Sequence, residues 1–64
     1  MLLKKLRQER IAWDITQRRL AEKSGLSVYK IRRIEAGKHQ PSATEIGAIA
    51  NVLKRPALWF FNGN

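Results

Sequence analysis

The spacing of apolar and polar residues along this chain suits a series of short helices rather than strands. Proline occurs only at positions 41 and 56 and glycine at 25, 37, 47 and 63, so the breaks fall near residues 25, 38 to 41 and 54 to 56. In the first segment Leu2, Leu6 and Trp13 share one helical stripe, Lys4, Lys5, Arg7 and Gln8 lie mostly off it, and Asp14 ends it. Thr16 is a good N-cap for a second helix over about residues 17–24, which carries Leu20 and Ala21 inward and stops at Gly25. Ser27 caps a third helix over about residues 28–36, with Gly37 placed to close it. At about 100° per residue, Ile34 falls beside Ile31, Lys30 sits on a flank, and Tyr29, Arg32, Arg33 and Ala36 take the opposite side. The fourth helix has the clearest start: Pro41, then Ser42 with Glu45 three residues on, a capping box. It carries Ile46, Ile49, Ala50 and Leu53 inward. A last short helix begins near Pro56 and supplies Leu58, Trp59 and Phe60 or Phe61 before Asn62-Gly63 ends it.

Composition narrows the functional classes. A chain of 64 residues, 44% of them apolar, has room for one domain and one modest core. Thirteen Lys and Arg against five Asp and Glu give a formal charge of +8 and a pI of 11.0. That imbalance points to a polyanionic partner, nucleic acid first and an anionic membrane surface second. A membrane-surface helix needs one continuous amphipathic segment, whereas the basic residues here are divided among several capped helices. With no cysteine and a single histidine, His39, neither a disulfide nor a metal site is expected, and packing must hold the fold. No cofactor is expected, and no apolar run approaches the roughly 18 residues of a membrane span. Met1-Leu2-Leu3 is too short for a signal peptide, which leaves a cytoplasmic, nucleoid-associated address. Enzymatic chemistry finds no nucleophile with a neighbouring base and no phosphate-cradling loop. The nearest pairing, Ser24 or Ser27 with His39, is explained by turn and cap chemistry.

Two short helices joined by a glycine turn, the second showing basic and aromatic residues outward, form the arrangement that lays a recognition helix in the DNA major groove. The run TQRRLAEKSGLSVYKIRRIEAGK followed by PS resembles the phage repressor and Cro (XRE-like) type of helix-turn-helix domain. The matching positions are Thr16, Gln17, Leu20, Ala21, Gly25, Ser27, Ile31, Ile34, Glu35, Gly37, Lys38, Pro41 and Ser42. The likeness extends to Leu6 and Arg10 upstream and to the Trp59-Phe60-Phe61-Asn62-Gly63 ending, so it spans residues 1–64 as a single domain. It implies an all-α, compact five-helix, lambda-repressor-like DNA-binding domain. Such a domain would bind double-stranded DNA sequence-specifically, as a transcriptional regulator that represses by blocking polymerase. Members often bind two-fold operator-like sites as dimers, here a weak homodimer strengthened on DNA. The same fold also serves as an antitoxin or adaptor, and the apolar ending ALWFF suits a protein partner.

The resemblance also assigns roles. Val28, Tyr29, Arg32 and Arg33 would read base edges: arginine meets guanine O6 and N7 together, worth about 1 to 3 kcal/mol of discrimination, and Val28 could pack on a thymine methyl. Backbone contacts would come from Arg10, Gln17, Arg18, Arg19, Ser27, Lys30, Lys38, His39 and Gln40. Glu35, in the last turn of its helix, faces the negative end of the macrodipole and needs compensation. The family pattern implies an ion pair with Arg10, which would share itself between Glu35 and a phosphate. Three departures stand out. Arg18 and Arg19 replace the acidic residues usual after Thr-Gln, and a phosphate near that helix start would reverse their unfavourable sign. Asp14 and Lys54 stand where glycine is common, which requires a left-handed or altered turn costing about 1 kcal/mol each. Arg55 is a poor cap. Trp13, Trp59 and the phenylalanines are assigned to the core, with one of Phe60 or Phe61 left exposed by the short last helix.

Overall fold

The computed structural model describes residues 2–61 and, within them, all side chains except those of residues 2–4, 59 and 61. The elements in order are α1 (Leu2–Ala12), α2 (Gln17–Ser24), α3 (Val28–Glu35), α4 (Ala43–Val52) and α5 (Ala57–Phe61). Four are helices of eight residues or more, and α5 is a five-residue closing turn. The expected five-helix domain is thus four full helices with a short terminal segment, all-α among the described residues.

Hydroxyl side chains start three of these helices. Thr16 accepts from the Arg19 N–H at 3.0 Å, Ser27 from Lys30 at 3.0 Å and Ser42 from Glu45 at 3.1 Å, each satisfying a donor that no helix carbonyl can reach. The capping box at Ser42 is complete, since the Ser42 N–H donates to Glu45 Oε1 at 2.9 Å. The exits need left-handed backbone. Gly25 ends α2 at φ +79° and Gly37 follows α3 at φ +79°. Asp14 and Lys54 take the same region, at φ 58° and 59°, in the corners after α1 and α4. A side chain disfavours that region, so these two corners carry a strain that glycine avoids.

The helices close around Leu6, Leu20, Ile31, Ile34, Ile46, Ile49, Leu53 and Phe60, all fully buried, with Ala21 and Ala50 nearly so. Helix α2 packs against α3 and α4, α4 against α5, and α1 against α3 and α5. Each large side chain removed from water contributes about 1.5 to 3 kcal/mol before chain entropy is counted. Ile15, Leu26, Val28, Val52 and Ala57 seal the rim, half-buried against that centre.

Two expected core residues are not in the core. Trp13 is 44% exposed: it stands just past the end of α1, its backbone N–H still donating to the Glu9 carbonyl at 3.0 Å and its indole N–H to Glu9 Oε2 at 3.1 Å. Leu58 is 64% exposed while Phe60 is buried. Two residues apart on a helix point roughly 200° apart, so a segment as short as α5 can turn only one of them inward. Leu2, Trp59 and Phe61, also assigned inward or to the chain end, have side chains outside the described residues, as does the Asn62-Gly63 ending.

Candidate nucleic-acid interface

Helices α2 and α3 are joined by Gly25, Leu26 and Ser27, with α3 anchored on its inner side by Ile31 and Ile34. On its outer side Tyr29 is 65% exposed and Arg32 is exposed, its side chain making no hydrogen bond or ion pair among the described residues. Arg33 is half-buried. Its guanidinium carbon lies 5.7 Å from the centroid of the Tyr29 ring, and one terminal nitrogen donates to the Lys38 carbonyl at 3.0 Å. Val28, expected at a base edge, is half-buried and packs against the core, so only part of its surface is free.

Arg10, Gln17 and Glu35 form a second cluster, tying α1, α2 and α3 together. Arg10 Nε donates to Glu35 Oε2 at 2.7 Å and a terminal nitrogen to Oε1 at 3.2 Å, with the Gln17 amide adding a donor to Oε1 at 3.0 Å. The third Arg10 nitrogen donates to the Ile15 carbonyl at 2.9 Å. Three donors and a full positive charge on one carboxylate answer the macrodipole problem at the end of α3. They also engage two side chains expected on the DNA backbone. Arg10 uses every guanidinium nitrogen inside the fold, with its side chain only 12% exposed, which leaves little of it for a phosphate. Gln17 directs its amide nitrogen to Glu35 rather than outward.

Glu45 centres a third cluster. Its Oε2 accepts from Lys30 Nζ at 2.7 Å, and its Oε1 lies 3.1 Å from His39 Nε2 while also taking the Ser42 N–H. The Lys30 ammonium first, then the Ser42 N–H and the His39 ring, pull the Glu45 carboxyl from 4.5 down to about 2. Lys30 and His39, both expected on the DNA backbone, are therefore held by a carboxylate in this structure. Arg18 is exposed at the start of α2, and Arg19 pairs with Glu22 at 3.4 Å, both well exposed, a contact worth little. Lys38 and Gln40 are exposed in the loop after α3. Ser24 Oγ donates to the Ala21 carbonyl at 3.3 Å and Ser27 caps α3, so both hydroxyls have the turn and cap roles expected of them.

A family model described as helix-turn-helix matches residues 3–60, nearly the whole chain. The chain belongs to the Cro/repressor-type helix-turn-helix family. No curated protein and no solved structure gives a significant match. Membership in this family makes the chain a DNA-binding transcription regulator at family level, directed at double-stranded DNA. No helix among the described residues is long and apolar enough to cross a membrane.

Within this helix-turn-helix frame, two contacts escaped the sequence. Glu45 was legible as a capping residue but not as the partner of Lys30, fifteen positions away. Arg55 Nε donates to Glu9 Oε2 at 2.9 Å, fastening the corner after α4 to α1. That guanidinium, more than the Trp13 indole, holds the Glu9 carboxyl below its ordinary value against a rise from burial. Arg55 had drawn notice only as a poor cap, and nothing local links positions 9 and 55.

Proposed function

We propose that residues 1–64 form a single domain that binds a specific operator-like sequence, with α3 in the major groove, and acts as a Cro/repressor-type regulator in the cytoplasm. The observation that carries this reading is the two-sidedness of α3: Ile31 and Ile34 are fully buried, while Tyr29, Arg32 and Arg33 occupy the side away from them. A helix fixed to its own core by one face and cationic on the other is suited to rigid docking against base edges. Val28, Tyr29, Arg32 and Arg33 are proposed to form the face that meets the base edges. Arg18, Arg19, Ser27, Lys38 and Gln40 are proposed on the backbone; Gln17, Lys30 and His39 join them only where their internal partners are removed, and Arg10 is the least available of the set.

A dimer on a two-fold site fits the dimensions. The chain measures 25 × 23 × 19 Å, so two copies fit without overlap on half-sites about 34 Å apart, one helical turn of DNA. Bound across a promoter, such a dimer represses by excluding polymerase.

Selection of bound duplexes from a randomised pool, at two salt concentrations and beside an Arg32→Ala, Arg33→Ala variant, tests this reading. An enriched two-fold motif that the variant loses or relaxes is expected. Salt-sensitive binding that enriches nothing overturns it. The exposure of Leu58 on α5 favours a second reading, a protein-interaction module such as an antitoxin or adaptor in which DNA binding is secondary. That reading predicts that specific DNA binding requires a second protein.

A further inference from the structure

We infer that Tyr29 is a positioning residue whose ring presets Arg33 as the guanine-reading side chain of α3, leaving Arg32 as the adaptable neighbour suited to a phosphate. This rests on the DNA-binding reading above and assigns the division of labour within it. Tyr29 and Arg33 stand four residues apart, one above the other on the helix surface, and the guanidinium carbon lies 5.7 Å from the ring centroid, within the range at which an aromatic face attracts a cation. A second restraint comes from the loop. Arg33 donates through one terminal nitrogen to the Lys38 carbonyl at 3.0 Å, and the Lys38 N–H donates back to the Arg33 carbonyl at 2.8 Å. Residue 38 is brought there by the left-handed Gly37, at φ +79°. Arg33 is thus held by a ring on one side and by a reciprocally bonded turn on the other.

That arrangement costs the guanidinium one of its five N–H groups and leaves four. A guanine edge needs two of them in parallel, for O6 and N7. An arginine already confined loses less conformational freedom on docking, and it holds the planar orientation that distinguishes bidentate reading from a loose charge contact. Arg32, adjacent in sequence, has neither restraint. Its side chain is exposed and makes no hydrogen bond or ion pair among the described residues, free to follow a phosphate whose position varies with DNA shape. Tyr29 acts here through its ring face, so its hydroxyl is dispensable.

Selection from the randomised duplex pool, run with wild type, Arg33→Ala, Tyr29→Phe and Tyr29→Leu, separates these roles, with thermal melts to establish that each variant is folded. The wild type is expected to prefer guanine at a position where Arg33→Ala shows no preference. Tyr29→Phe keeps that preference; Tyr29→Leu weakens it at the same base pair by roughly two- to fivefold, the strength of an exposed cation–π contact. The salt dependence of Tyr29→Leu matches wild type, because no cation has been removed. A Tyr29→Leu variant with undiminished preference at the Arg33 position, or with its loss at a different base pair, overturns the positioning role. So does a Tyr29→Phe variant that fails as badly as Tyr29→Leu, since the hydroxyl is then the contact. A wild type that enriches no motif removes the DNA-reading proposal itself, together with this one, and is recognisable as the different failure.

Discussion

Glu35, in the last turn of α3, is clasped by Arg10 of α1 through two hydrogen bonds of 2.7 and 3.2 Å, with their side chains only 5% and 12% exposed. The pair fixes α3 to α1 at the end where the helix dipole would repel a lone carboxylate. Removing one partner leaves a nearly buried charge unpaired, which is far more costly than losing the pair.

An Arg10→Met variant should accordingly lose about 2 to 4 kcal/mol of stability, most of what a domain this small can possess. The double variant Arg10→Met, Glu35→Leu should recover a large part of it, because neither residual side chain then needs compensation. Urea denaturation of the three proteins measures both; equal stability of the single and double variants would refute the claim that an orphaned Glu35 causes the loss.

Acid should weaken the fold in a defined window through Glu45. Its carboxyl is lowered from 4.5 to about 2 in the folded protein by Lys30, Ser42 and His39. The folded state therefore binds this proton less readily than the unfolded chain, and the stabilisation is fully present above about pH 4.5, declining toward pH 2. Glu9, lowered chiefly by Arg55, acts in the same direction. Melting temperatures of Glu45→Gln should fall less steeply than wild type over that range, and parallel curves would show that Glu45 contributes nothing to the acid sensitivity.

The same carboxylate should restrain DNA binding by occupying Lys30. In Glu45→Gln the ammonium loses its charged partner and becomes available to a phosphate, so affinity rises and the slope of log affinity against log salt steepens by about one unit. Adding Lys30→Gln should return the slope to its starting value. A gain that survives the second substitution would mean that Lys30 is not the side chain released.

Strain at the two left-handed corners is also measurable. Asp14→Gly and Lys54→Gly, at φ 58° and 59°, should each stabilise the fold by about 0.5 to 1 kcal/mol, the relief of the side-chain clash exceeding the extra freedom given to the unfolded chain. Gly25→Ala should lose about 1 kcal/mol from backbone conformation alone, since an added Cβ there meets nothing within 4 Å. Destabilisation by both glycine substitutions would show that local contacts of Asp14 and Lys54 outweigh the strain.

What could be read from the sequence follows the range of each interaction. Thr16, Ser27 and Ser42 were legible because a cap is settled within three residues. The inner faces of α2, α3 and α4 were legible because two turns of helix suffice to define a stripe. Asp14 and Lys54 were legible through the glycines they replace. Trp13 and Leu58 were misplaced because periodicity does not say where the packed layer ends: Trp13 lies at the last turn of α1 with its indole on Glu9, and α5 is too short to turn both Leu58 and Phe60 inward. The grip of Glu45 on Lys30 and of Arg55 on Glu9 depends on how separate helices meet. Spacing along the chain carries no trace of that. The contact of Arg33 with the Tyr29 ring, on which the proposed division of duties rests, likewise needed side-chain geometry, since Tyr29, Arg32 and Arg33 all share the outer side of a helical wheel.

Four of the five acidic residues, Glu9, Glu22, Glu35 and Glu45, are engaged by basic side chains, and the innermost of these pairs are sheltered from solvent ions. The negative charge is thereby used mostly as internal rivets, while the surplus cations repel one another across the outside. Added salt quiets that repulsion and also competes for DNA phosphates. One variable should therefore pull the molecule in opposite directions, toughening the folded chain in brine while loosening its hold on a duplex, so that the dilute conditions that favour binding are those in which the free protein should unfold most readily.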